Sequence, residues 1–136
     1  MSLPEFKARL VLEATVSPSE DPAKVAAALW KIVGLGPEAA SAGPGSARLV
    51  TTEAKALERI RDQLRDRHVR SAARRQLLLN KTGRSSSLML NRQAAAVGVV
   101  AVCGGPDESP LGPVLLKLYS ERLDEAIDWL TAYPGG

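Results

Sequence analysis

Hydrophobic and polar residues alternate near the start of the chain. From Phe6 to Val16 every even position is apolar, and the odd positions include Lys7, Arg9 and Glu13. Successive side chains of a strand point to opposite faces of a sheet, so this pattern predicts a strand with one buried face.

Four shorter apolar runs predict the remaining strands. They are Ala47–Thr51, Ser86–Asn91, Val97–Cys103 and Val114–Tyr119. The run Val97–Cys103 is apolar on both sides, which predicts a central position in the sheet. The last three strands are joined by links of about 5 and 10 residues, too short for crossover helices, so we expect them to pair largely antiparallel.

Apolar residues at helical spacing predict the helices. The first has Asp21 as its N-cap and Pro22 at its first position, and Gly34 ends it. Residues 53–80 form either one long helix or two joined by a kink, and the pattern favours two. A closing helix is predicted over Arg122–Thr131. The Gly-, Ala-, Pro- and Ser-rich stretch 34–46 predicts a flexible, exposed loop.

The predicted order of elements is β-α-β-α-α-β-β-β-α. We therefore predict a single α+β domain over residues 1–136, a two-layer sandwich with helices on one face of a mostly antiparallel sheet of about five strands. The composition, 45% hydrophobic and 24% charged, agrees with an ordinary globular domain. Apolar residues also alternate on the other sheet face, which predicts a homodimer packed through that face. These residues are Val11, Val100, Val102 and Leu115.

Several kinds of site are excluded by residue counts. One cysteine, Cys103, and one histidine, His68, cannot form a disulfide framework or a structural zinc site. The longest apolar run, 94–103, is too short to span a membrane, and the start of the chain has no secretory pattern. We find no nucleophile, acid–base pair or phosphate loop, so we expect a cytoplasmic protein without enzymatic activity, cofactor, metal or membrane partner.

Charge is distributed unevenly along the chain. The net charge is only +3, but the segment from Arg48 to Arg92 holds 12 basic and 4 acidic residues, so it carries +8 and the rest of the chain −5. One explanation is a solvated helix face with intrahelical ion pairs, such as Asp66 with Arg70. Against this, no acidic residue occurs between Asp66 and Asp107, so most of these cations lack local partners.

Arginine clusters without acidic partners are typical of surfaces that bind a polyanion, because the guanidinium group presents several donors that suit phosphate. The segment holds no aromatic residue on which bases could stack, so the hypothesis is electrostatic recognition of structured RNA. The alternative is an assembly module whose basic helix docks an acidic protein. The candidate RNA-binding residues are Arg59, Arg67, Arg70, Arg74, Arg75, Lys81, Arg84 and Arg92.

Four stretches carry a resemblance to a known group of proteins. They are Ser19-Glu20-Asp21-Pro22-Ala23-Lys24-Val25, Leu90-Asn91-Arg92-Gln93-Ala94-Ala95, Glu108-Ser109-Pro110-Leu111-Gly112-Pro113 and Ala126-Ile127-Asp128-Trp129-Leu130. In order and spacing they resemble a family of small archaeal proteins of uncharacterised function (UPF type), over roughly residues 7–133. The chain departs from the family in its longer loop at 34–46.

The resemblance implies an RNA-binding or exosome-associated role. It also implies a fold similar to that of the large-subunit ribosomal protein that holds the small ribosomal RNA, the ribosomal-protein-five-like fold. It supplies no catalytic residues. Similar folds host unrelated functions, so this likeness adds to the charge argument without replacing it.

Overall fold

The computed structural model describes residues 7–65, 69–104 and 111–131. Within these ranges the chain forms five strands and five α-helices. In chain order they are β1 (Arg9–Val16), α1 (Pro22–Val33), β2 (Ala40–Gly43), β3 (Gly45–Thr51), α2 (Ala54–Arg65), α3 (Val69–Leu79), β4 (Ser85–Leu90), α4 (Arg92–Ala96), β5 (Val114–Tyr119) and α5 (Leu123–Leu130).

The strands form one sheet in the order β2-β3-β1-β5-β4, and each neighbouring pair is antiparallel. The central strand is β1, in which Leu12 lies opposite Leu49 of β3 on one side and Leu116 of β5 on the other. The predicted α+β class and five-stranded antiparallel sheet are confirmed. Two helices, α2 and α3, occupy the segment for which one helix or two were predicted.

The core lies between the sheet and the helices. The even positions of β1 are buried, as the alternation predicted, with Leu10 and Leu12 at most 1% exposed. Burying a side chain of this size stabilises the fold by about 1.5–3 kcal/mol. Trp30 and Trp129 are partly buried against the same core.

Helix α1 begins and ends as the sequence predicted. The Asp21 carboxylate accepts a hydrogen bond from the Ala23 N–H at 3.0 Å, and Pro22 opens the helix. Gly34 ends it with a φ of 68°, in the left-handed region that glycine adopts without a steric cost.

The sequence predicted a flexible, exposed loop over 34–46, but part of this segment forms regular structure. A short 3-10 turn, Pro37–Ala39, leads into the edge strand β2, which pairs with β3 to form a hairpin. Pro44 connects the two strands, and Gly45 at the start of β3 has a φ of 93°, as a turn with proline followed by glycine requires. Composition misled the prediction because an edge strand needs only backbone hydrogen bonds on one side, which small residues supply.

The central strand predicted over Val97–Cys103 is also wrong. Asn91 caps the short helix α4 by accepting a hydrogen bond from the Ala94 N–H at 2.9 Å, and the following segment meets β4 at a single bridge between Leu90 and Val102. Side-chain amides, and not a neighbouring strand, form hydrogen bonds with part of the backbone of residues 97–103. Gln63 binds the Gly98 carbonyl and the Val100 N–H, and Gln76 binds the Cys103 carbonyl.

Two of the four residues expected in an apolar patch on the sheet face opposite the helices belong to the core side instead. Val100 belongs to the core, and Val102 packs at its edge, so neither contributes to an apolar patch on this face. Val11 is itself buried, and Leu115 is half-buried. The homodimer stays a prediction. No helix in the described ranges is long and apolar enough to cross a bilayer.

Candidate nucleic-acid interface

The two helices of the basic segment, α2 and α3, pack apolar stripes against the core. Helix α2 buries Leu57, Ile60 and Leu64, and α3 buries Ala73 and Leu77. Residues three and four apart lie on one helical face, so these positions form the buried stripes that hold the two helices on the protein.

Three of the candidate cations pair with acids far away in the sequence. Arg74 binds Asp128 at 2.7 Å, Arg84 binds Glu121 at 3.2 Å, and Lys81 binds Asp124. The acids come from α5 and the turn before it, which pack next to α3. The sequence prediction concerned local partners only, and these cations indeed have no acidic neighbour along the chain, so their distant partners become visible only in the folded structure.

These three pairs lie at the surface. The side chains of Arg84 and Glu121 are 75% and 85% exposed, and Arg74 is 43% exposed. An exposed ion pair contributes only about 0–1 kcal/mol, since water and salt screen the charges. The cations are therefore available to another anion at small cost.

Arg92 has a different environment from the other candidates. Its side chain is only 10% exposed and donates to the Gly112 carbonyl at 2.9 Å, Glu20 at 3.1 Å and Thr15 Oγ1 at 3.2 Å. All three guanidinium nitrogens are used inside the protein, where they tie α4 to β1 and to the loop before α1. We therefore leave Arg92 out of the proposed interface.

The remaining candidates differ in their surroundings. The aliphatic part of Arg59 lies over Gly34, where a Cβ would come within 2.7 Å of Arg59 Cδ, so this side chain leans towards the end of α1. Arg70 is half-buried, and Arg75 is exposed. Arg67 lies outside the described residues.

The structure places three candidate cations, Arg74, Lys81 and Arg84, in a row along α3 and the turn that follows it. The acids at 121, 124 and 128 are spaced three and four apart, so their partners also follow one another in a row. Arg75 adds an exposed guanidinium on α3. We call this surface the basic ridge: Arg74, Arg75, Lys81 and Arg84.

A second group of polar residues, which the sequence did not indicate, lies on the sheet. The Arg9 guanidinium lies 4.7 Å from the centre of the Tyr119 ring on the neighbouring strand. Both occupy odd positions, which point away from the core. The alternation in β1 could have placed Arg9 on this face, but only the register of β1 with β5 places it beside Tyr119.

The sheet face opposite the helices also carries an ion pair. Lys117 and Glu13 lie 2.8 Å apart on neighbouring strands. The hydrogen bond to Glu13, reinforced by the charge of this carboxylate, raises the pKa of Lys117. Across the described ranges, no three His, Cys, Asp or Glu side chains meet in a group that could hold a metal ion.

Similarity to proteins of known sequence establishes the family of this chain. A UPF0201 protein of Sulfurisphaera tokodaii is 32% identical over 126 residues, which cover 90% of this chain and 86% of the relative. The chain belongs to the UPF0201 family. A member from Sulfolobus acidocaldarius is 31% identical over the same shares of both chains, and these relatives are archaeal. No family model matches the chain.

Solved structures agree with the fold. A UPF0201 protein from Methanococcus jannaschii superposes with a TM-score of 0.72 at 24% identity, covering 90% of this chain and 92% of the other. A DUF54 protein from Methanothermobacter thermautotrophicus superposes with a TM-score of 0.61 at 19% identity, covering 93% and 94%. The predicted resemblance to an uncharacterised archaeal family is confirmed. UPF0201 has no established function, so the implied RNA-binding or exosome role and the ribosomal-type fold stay predictions.

Proposed function

We propose that this protein binds structured RNA through the basic ridge, without catalysing a reaction. The observation that carries the proposal is the row of surface ion pairs between α3–β4 and α5, together with the exposed Arg75. Arg74, Lys81 and Arg84 are already oriented towards a row of carboxylates, at a spacing set by the helices and strands that carry them.

Phosphates can replace the carboxylates at low energetic cost. The carboxylates of Asp128, Asp124 and Glu121 are 63%, 75% and 85% exposed, so they return to water when a phosphate takes their place. Arginine presents a planar fork of donors that matches two phosphate oxygens. The ridge holds no aromatic side chain, which favours contact with the backbone of a folded RNA over stacking on single-stranded bases.

The proposal is tested by measuring RNA affinity against salt concentration. If the four cations of the ridge neutralise four phosphates of a hairpin RNA, log affinity should fall with log salt at a slope of about −3 to −4. The variant R74Q/R75Q/K81Q/R84Q should lose most of this slope and bind at least tenfold more weakly. An unchanged slope in this variant would overturn the proposal.

Two matched variants control for loss of charge and for loss of fold. Lys24 is an exposed cation on α1, and K24Q should leave the slope unchanged because Lys24 lies off the ridge. Circular dichroism and denaturation of the quadruple variant should match the parent within about 2 kcal/mol, since only surface pairs are removed.

The same ion pairs favour a second candidate function. Because the ridge already binds carboxylates within the chain, an acidic protein partner could use the same cations. Affinity capture from extract before and after nuclease treatment separates the two functions. Partners retained after nuclease, and lost with the quadruple variant, would favour the assembly module.

A further inference from the structure

A cleft of about 800 Å³ opens at one end of the sheet, where β1 begins, β3 and β5 end and α2 starts. Pockets that bind small molecules range from about 300 to 1,000 Å³, so a single nucleotide fits this space. The cleft adjoins the basic ridge because Arg84 belongs to both.

The charged groups of the cleft favour an anion. Lys7, Arg9 and Arg84 face one carboxylate, Glu121, which pairs with Arg84 at the surface. This arrangement leaves Lys7 and Arg9 as cations that no ion pair in the described chain neutralises. A phosphate monoester carries close to two negative charges near neutral pH, which matches this excess.

The cleft also contains a planar platform. The Arg9 guanidinium lies over the Tyr119 ring, and both side chains line the space. Nucleobases stack on aromatic rings and on guanidinium planes alike, and each such contact contributes measurably to binding. Leu57 and Ala54 add apolar wall, and the Thr52 hydroxyl adds a hydrogen-bonding group of the kind that reads a sugar or a phosphate.

We propose that this cleft binds a nucleoside monophosphate group, with its base on the Arg9–Tyr119 platform and its phosphate near Lys7 and Arg84. The group is either a free nucleotide or the terminal phosphorylated nucleotide of an RNA chain. The second source rests on the proposed function, because the body of such an RNA would lie along the ridge.

Calorimetric titration with AMP and UMP tests the site directly. We expect saturable binding of the monophosphates, at least tenfold weaker binding of adenosine, and no comparable binding of inorganic phosphate, since each lacks one half of the ligand. Equal binding of adenosine and AMP, or of phosphate and AMP, would overturn the proposal. No saturable AMP or UMP binding would reject the free nucleotide, and the RNA arm below then decides.

Two pairs of variants separate the platform from the fold. Y119L should weaken binding about tenfold, the scale of one base–aromatic contact, and Y119F should retain most of the affinity because the ring is kept. R9M should weaken binding similarly, and R9K should restore part of it through charge alone. Wild-type affinity in both Y119L and R9M would overturn the assignment.

RNA oligonucleotides distinguish the two sources. A short strand with a 5′ or 3′ phosphate should bind more tightly than the same strand with hydroxyl ends, and Y119L should abolish this difference. Equal affinities with AMP binding intact would identify a free nucleotide as the ligand, and equal affinities without AMP binding would reject the site.

A ridge variant keeps the two proposals apart. R75Q/K81Q lies outside the cleft and should lower hairpin affinity while leaving AMP affinity unchanged. Loss of AMP binding in R75Q/K81Q would contradict a separate site. AMP binding without any hairpin binding would reject the ridge and keep the cleft.

Discussion

The buried Glu20–Arg92 pair and the exposed pairs of the basic ridge use the same chemistry for different ends. Glu20 and Arg92 are 15% and 10% exposed, whereas Arg84 and Glu121 are 75% or more exposed. Taking both charges of a pair from water costs several kcal/mol, which only good geometry and further hydrogen bonds offset. Arg92 has those further bonds, to Gly112 and Thr15.

We infer from this difference in exposure that the Glu20–Arg92 pair stabilises the fold, whereas the cations of the basic ridge can exchange their partners. If Arg92 left its partners, the Glu20 carboxylate would remain largely buried without a cation. The ridge cations can change partners because their acids are already solvated. Both regions came from one basic segment of the sequence, so residue type alone does not separate a structural arginine from a binding one.

The largest expected effect is loss of stability on removing Arg92. R92M keeps much of the side-chain volume but leaves Glu20 without its cation, and we expect the free energy of unfolding to fall by about 3 kcal/mol. Urea denaturation at neutral pH measures it. R84M is the matched control and should cost less than about 1 kcal/mol. Equal losses of unfolding free energy in R92M and R84M would contradict a different role for the buried and the exposed pairs. The double variant E20Q/R92M should recover part of the loss.

The next effect is a gain of RNA affinity on removing the acids that compete for the ridge. E121Q/D124N/D128N keeps the shape of each side chain and removes three carboxylates. Three pairs worth a few tenths of a kcal/mol each predict a gain of roughly tenfold in affinity for a hairpin RNA. E20Q should give no gain, because its partner Arg92 is buried. Unchanged affinity in the triple variant would show that the ridge does not bind the RNA.

A smaller effect is the response of the two kinds of pair to salt. Between 50 mM and 1 M salt the screening length falls to about 3 Å, so exposed charges lose most of their interaction. The stability difference between wild type and R84M should therefore vanish at high salt, and that for R92M should persist. Denaturation curves at the two salt concentrations give both differences. A salt-sensitive R92M difference would mean that Glu20–Arg92 is solvated.

Sequence patterns sufficed for the elements whose signal is local. The alternation of β1, the Asp21 cap and the Gly34 stop depend on neighbouring residues, and all three are confirmed. The segment Val97–Cys103 was wrongly predicted as a strand because an apolar run indicates burial but does not identify the elements that pack against it. The partners that cover it, Gln63 and Gln76, lie on other elements.

The candidate site was less predictable than the fold. The sequence located an excess of cations, but pairing depends on contacts such as Arg74 with Asp128, 54 residues apart. It could not show that Arg92 is buried, or that Arg9 and Tyr119 meet, since strand register is set by the whole sheet. Charge counts along a chain therefore identify candidates, and tertiary contacts decide which of them remain at the surface.

The smallest expected effect concerns Glu13 and Lys117, whose exposure lies between those of the other two kinds of pair. Both side chains are about one-third exposed, at 38% and 35%, so E13Q should cost well under 1 kcal/mol at pH 7. The hydrogen bond to Glu13 raises the pKa of Lys117 above its unfolded value of about 10.4. The pair's contribution should therefore be complete below pH 10.4 and disappear as pH rises through the raised pKa. The stability difference between wild type and E13Q, followed by denaturation from pH 8 upwards, should close over that range, whereas K24Q should show no such change. A stability difference that instead grew above pH 10.4 would mean that Glu13 does not stabilise the charged form of Lys117. The contribution of this pair would then come from side-chain packing and not from charge.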